Sequence, residues 1–74
     1  MQGLHLTADL HGCRCALAWL TEADPLAEYC VRAVHTAGLQ PVARVVHSFP
    51  ATEQGPGGVT ATVLLAESHL CVHT

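Results

Sequence analysis

Only one segment of this 74-residue chain carries sustained helical spacing, and both of its ends are set by residues that do not extend a helix. Thr21-Glu22-Ala23-Asp24-Pro25 is a dense helix start: Asp24 can accept a hydrogen bond from an orphan amide, and Pro25 gives up a donor that the first turn leaves unused. Leu26, Cys30, Ala33, Val34 and Ala37 then recur at helical spacing, and Gly38 suits the residue just past a helix end. The spacing predicts one helix over residues 25–37.

The other ordered segments read as strands. Leu4, Leu6, Ala8 and Leu10 fall on one side and His5, Thr7 and Asp9 on the other, which predicts a half-buried strand that Gly12 ends. β-Branched residues return from Val42 to Phe49, between Pro41 and Pro50, and again from Val59 to Leu65. After Glu67 and Ser68, alternation resumes from His69 to Thr74 as a fourth strand. Between the second and third strands, Pro50, Gly55, Pro56, Gly57 and Gly58 make a hairpin loop that is expected to be mobile. The order β-α-β-β-β predicts an α+β, two-layer sandwich: a small, mainly antiparallel sheet with the helix on one face. The chain reads as a single domain, with no internal repeat or linker. So short a chain buries only about 60% of its unfolded surface, and the second face of its sheet is left bare. A further layer from outside is expected.

Composition narrows the partners. Three Lys+Arg, all arginine (Arg14, Arg32, Arg44), stand against six Asp+Glu, for a formal charge of -3. Such scattered cations do not neutralise the roughly 6 to 10 phosphates of a typical DNA contact, so no nucleic-acid partner is expected. At 12% charged and 50% hydrophobic residues the chain is a packed domain and not a disordered one. No run approaches the roughly 18 apolar residues that cross a membrane, and the first residues lack a charged leader pattern. The expectation is a soluble, unexported, cytoplasmic protein with no membrane partner, whose Cys13, Cys15, Cys30 and Cys71 stay thiols in a reducing compartment. Cys13 and Cys15 are taken as buried structural thiols.

Chemistry concentrates in Leu64-Leu65-Ala66-Glu67-Ser68-His69-Leu70-Cys71-Val72-His73-Thr74, where a serine sits between an acid and two histidines. On a strand, His69, Cys71 and His73 share one face and Leu70 and Val72 the other. Three readings stay open from residue type alone. In the first, Ser68 is a turn residue, Glu67 a solvated acid and the histidines line a wet strand face. In the second, His11-x-Cys13-x-Cys15 and His69-x-Cys71-x-His73 meet as a zinc module, although neither has the C-x₂₋₄-C form of structural zinc sites. In the third, Ser68 is a nucleophile, but with no G-x-S-x-G elbow and no well-placed acid it is not that of a conventional hydrolase.

The run Ala66-Glu67-Ser68-His69-Leu70 followed by Val72-His73-Thr74 resembles the self-cleavage region of the short prokaryotic type of S-adenosylmethionine decarboxylase proenzyme. Gly3-Leu4-His5-Leu6-Thr7-Ala8-Asp9-Leu10 with Gly12-Cys13 is similar to that family's first strand and the turn after it, and His47-Ser48-Phe49 and Gly58-Val59-Thr60 to its second and third. The resemblance covers nearly the whole chain in order. It implies that the Ser68 hydroxyl attacks the Glu67 carbonyl and shifts the acyl group from nitrogen to oxygen. Loss of the serine Cα proton then eliminates the ester, leaving a β chain of residues 1–67 and an α chain that begins at position 68 with a self-derived pyruvoyl group. That ketone condenses with the amine of S-adenosylmethionine, and the Schiff base takes up the electron pair left as carbon dioxide departs. The product is the aminopropyl donor for spermidine.

By the same resemblance, His73 matches the proton acceptor in processing. Thr60 stands where the family usually has a serine that supports the oxyester, and Phe49 matches an aromatic residue that stacks on adenine. Without the resemblance, Thr60 reads as a solvent-facing strand residue, and Phe49 reads equally as a core anchor. Two features depart from the pattern. The family continues past His-Thr with Trp-Pro-Glu and a later cysteine proton donor, whereas this sequence ends at Thr74, and the loop over residues 50–58 is longer than the family norm. The resemblance thus implies the amino-terminal part of the proenzyme, incomplete without its C-terminal half and paired with further αβ units as a homo-oligomer whose sheets stack. The alternatives are a truncated, non-catalytic homologue that acts by subunit association, and the Cys/His metal module.

Overall fold

The structure is a computed structural model and describes residues 5–74. Its elements are α1 (Ala18–Thr21), α2 (Ala23–Thr36), β1 (Pro41–Phe49), β2 (Gly58–Leu65) and β3 (His69–His73). The strands form one antiparallel sheet in the order β1-β2-β3. α2 packs on one face of it, so the α+β class and the two layers follow the sequence pattern.

α2 begins two residues earlier than the spacing predicts. Glu22, in extended conformation, is its N-cap and makes no side-chain cap bond, while Asp24 sits inside the first turn, where its charge complements the helix dipole. The far end follows expectation. Gly38 takes a φ of 84°, its N–H donates to the His35 carbonyl, and the Leu39 N–H donates to the Val34 carbonyl, which is a Schellman closure. The single turn of α1 was not legible beforehand; its Thr21 hydroxyl bonds back to the Leu17 carbonyl at 3.0 Å.

The core lies between α2 and the sheet. Leu26, Cys30 and Val34, spaced by four, meet Val59 and Val63 of the central strand, with Val46, Leu70 and Val72 packed at the margin. Val59 and Val63 are essentially sealed, which is why their alternation carries β2 through the middle of the sheet. Among the four thiols, Cys30 is buried and Cys13, Cys15 and Cys71 are exposed, so the expectation of burial for Cys13 and Cys15 is corrected: both lie on an exposed irregular stretch without a core to enter. Burial pushes the Cys30 thiol above its usual range. Because the unfolded thiol ionises first, this contribution to stability is held below the ordinary cysteine pKa and lost as pH rises through the alkaline range. A disulfide-exchange reagent at mildly alkaline pH is expected to modify Cys13, Cys15 and Cys71 quickly and Cys30 only at the rate of unfolding.

The first strand is the principal difference. Leu4 lies outside the described residues, and residues 5–10 form no strand: Leu6 is 81% and Leu10 78% exposed. The segment runs beside β3, with the His5 ring 6.1 Å from that of His69. Period two needs both a pairing edge and a layer to bury its apolar side, and here no layer covers Leu6 and Leu10.

Candidate active site

The sheet face opposite α2 carries the candidate residues, because the register places them there. His47 pairs with Thr60, and Thr60 pairs with His73, so three side chains stand in one row across the three strands. Thr60 Oγ1 lies 2.6 Å from His73 Nδ1, a short hydrogen bond between a hydroxyl and an imidazole. Phe49 closes the row at the end of β1. Its ring meets the His47 ring edge to face at 4.6 Å and the His73 ring at 6.0 Å. Phe49 is 44% exposed, which sets aside the core-anchor reading and leaves an aromatic surface open to a planar ligand.

Ser68 and Glu67 are elsewhere. They form the turn between β2 and β3, where the Leu65 N–H donates to the Ser68 carbonyl at 2.9 Å. Glu67 is not merely a solvated acid: its Oε1 accepts the Gln40 N–H at 3.2 Å, and the Gln40 carbonyl accepts the Ala66 N–H at 2.9 Å, which fastens the turn to the entry of β1. Both residues are exposed. Ser68 precedes β3 and His73 ends it, so about 16 Å of extended backbone separates their Cα atoms. Within one chain the structure thus joins Thr60, His73 and Phe49 and leaves Ser68 apart from them.

His47 has no role assigned by the sequence pattern; its signal is the spacing of two from Phe49, which puts both rings on one face. On the opposite side of β3, a cleft of about 990 Å³ opens between the irregular amino-terminal stretch and the helices, with Trp19, Tyr29, His73 and Thr74 in its wall. Trp19 and Tyr29 pack edge to face at 5.4 Å there. The zinc-module reading finds no ligand set: among the described residues no three His, Cys, Asp or Glu side chains converge as a metal ion requires. Among the same residues no helix is long and apolar enough to cross a membrane.

An α2-backed antiparallel sheet with a histidine–hydroxyl pair on its free face, and an exposed Glu-Ser turn leading into the histidine's strand, defines the class as an α+β unit built around a hairpin. The family model for S-adenosylmethionine decarboxylase matches residues 4–74, and the chain belongs to that family. It is similar to the S-adenosylmethionine decarboxylase proenzymes of Syntrophomonas wolfei (33% identical over 72 residues, 97% of this chain and 52% of that protein) and Persephonella marina (35% identical over 72 residues, 97% and 49%). That of Pelotomaculum thermopropionicum is 33% identical over the same length. The chain spans about half the length of the curated relatives it matches. No solved structure matches it.

Proposed function

We propose that this chain is the amino-terminal part of a self-cleaving, pyruvoyl-dependent S-adenosylmethionine decarboxylase proenzyme acting in spermidine biosynthesis in the cytoplasm. In this reading residues 1–67 become the β chain and position 68 opens the α chain. The observation that carries it is the 2.6 Å pairing of Thr60 with His73 on the sheet's free face, joined to an exposed Glu67-Ser68 turn. The Ser68 hydroxyl adds to the Glu67 carbonyl carbon, the amide C–N bond breaks, and an ester joins the two residues. Thr60 steadies that ester through its hydroxyl. His73 accepts the Ser68 Cα proton through its imidazole, and the ester C–O bond breaks to release the Glu67 carboxylate. The dehydroalanine left at position 68 tautomerises to an imine, and water hydrolyses it to the ketone with release of the serine nitrogen as ammonia.

The fit of the pyruvoyl group rests on Ser68 itself, whose exposed place in a tight turn leaves its backbone free to part without dismantling the core. When present, that ketone supplies the electron sink for loss of the substrate's carboxyl group. Phe49 stacks on the adenine of S-adenosylmethionine, its exposed ring held between two imidazoles.

The separation of Ser68 from His73 supports pairing of two such units. Two sheets stacked by their free faces about a two-fold axis lying across the strands set the His73 end of one over the Ser68 end of the other. The same pairing covers Val45 and Leu64, which are exposed in the single chain. Intact-mass spectrometry over a time course tests the reading. Two products that part between Glu67 and Ser68 support it; a persistent 7.8 kDa chain supports the non-catalytic homologue that acts by association.

A further inference from the structure

Thr74, one residue past β3, makes bonds that a residue trailing off a strand does not. Its N–H donates to the Val59 carbonyl at 2.9 Å, as an antiparallel ladder requires. The return bond is altered: the Val59 N–H donates to Thr74 Oγ1 at 2.9 Å in place of the backbone carbonyl. The same hydroxyl donates to the carbonyl of Leu20 in α1. Val59 has no exposed surface, so its amide finds no water in exchange. Leu20 lies in the last turn of α1, where carbonyls lack helical partners. One hydroxyl therefore ties together α1, β2 and the end of β3. The fit is close, since a Cβ on Gly58 would fall 2.5 Å from the Thr74 carbonyl oxygen.

His73 is the residue just before this knot. Val72 packs against the core on its other side, so the backbone of His73 is fixed from both directions. Its ring must meet Thr60 at 2.6 Å, a separation that tolerates little drift. We propose that Thr74 is a positioning residue: its hydroxyl, by replacing a backbone carbonyl in the ladder, fixes the end of β3 so that His73 keeps a single hydrogen-bonded ring orientation on Thr60. The functional half of this inference rests on the reading of His73 as the proton acceptor in processing.

The test compares Thr74→Val, which keeps the shape and loses the hydroxyl, with Thr74→Ser, which keeps the hydroxyl. Three quantities are followed: the ¹⁵N spectrum of the His73 ring, amide exchange at Val59, and the rate of chain cleavage. Thr74→Val is expected to exchange the Val59 amide at least about tenfold faster, to spread the His73 ring over both tautomers, and to slow cleavage about tenfold, the factor that loss of one hydrogen bond to a buried group gives. Thr74→Ser is expected to restore all three to within about threefold of the native chain. A native His73 spectrum in Thr74→Val overturns the inference. So does a disturbed one in Thr74→Ser, which decides the matter even if the valine variant does not fold. His73→Ala separates the two levels: native cleavage in that variant ends the reading of His73 as base, while the ring spectra still judge Thr74.

Discussion

If the chain matures as proposed, the Ser68→Ala variant is expected to stay a single chain under conditions in which the native chain is expected to part. Alanine retains the Cα proton but has no hydroxyl to receive the Glu67 acyl group, so the first step has no nucleophile and cleavage falls at least about a thousandfold. The fold is not at risk. Ser68 is exposed in the turn between β2 and β3, and what the turn uses is its carbonyl, which accepts the Leu65 N–H in either residue. A substitution of that kind shifts stability by about 0.5 kcal/mol or less. Mass spectrometry and thermal unfolding on the same sample check both halves: an uncut chain with a native melting curve is expected, and a cut alanine variant would place the labile bond elsewhere.

Gly57→Ala is expected to cost more stability than the same change at any other glycine among the described residues. Gly57 has a φ of 87°, which alone strains an L-residue. In addition, a Cβ there would drive into the Phe49 carbonyl oxygen and lie 2.9 Å from the Pro50 carbonyl carbon. These are backbone atoms, so no rotamer change relieves the clash. The expected loss is about 2–4 kcal/mol, or roughly 10–20 °C in Tm for a domain of this size. Gly38→Ala is the control. It shares the positive φ, at 84°, but meets open space, and so is expected to lose only about 1 kcal/mol. Circular-dichroism melts of the two variants compare them directly; equal losses would show that the β1–β2 loop does not press its backbone against Gly57. Because the clash falls on Phe49, Gly57→Ala also displaces the aromatic end of the site.

The helix and three of the strands were legible because local chemistry and tertiary packing agree there. Gly38 closes α2 through the bonds its type suggests, and the alternation of Val59, Ala61 and Val63 survives because α2 covers that side. The segment around Leu6 and Leu10 has equal alternation and no cover, so its pattern marks a capacity for strand pairing that is not realised in the single chain. At the site, the family resemblance and not residue type pointed to Thr60 and His73, and only the register Thr60↔His73 places their atoms at bonding distance. His47 and Thr74 were harder to see. One acts through a ring two residues along its own strand and the other through a hydroxyl reaching elements 15 and 54 residues away, and neither link has a short sequence signature.

Hydride trapping of the protein purified from its own cells bears most directly on the conversion of Ser68. Borodeuteride reduces a pyruvoyl ketone to a deuterated lactyl group and leaves an intact serine untouched. A deuterium-labelled peptide that begins at position 68 is expected, and it is expected to be missing from the Ser68→Ala protein. An unlabelled peptide in which Glu67 and Ser68 are still joined would contradict that conversion.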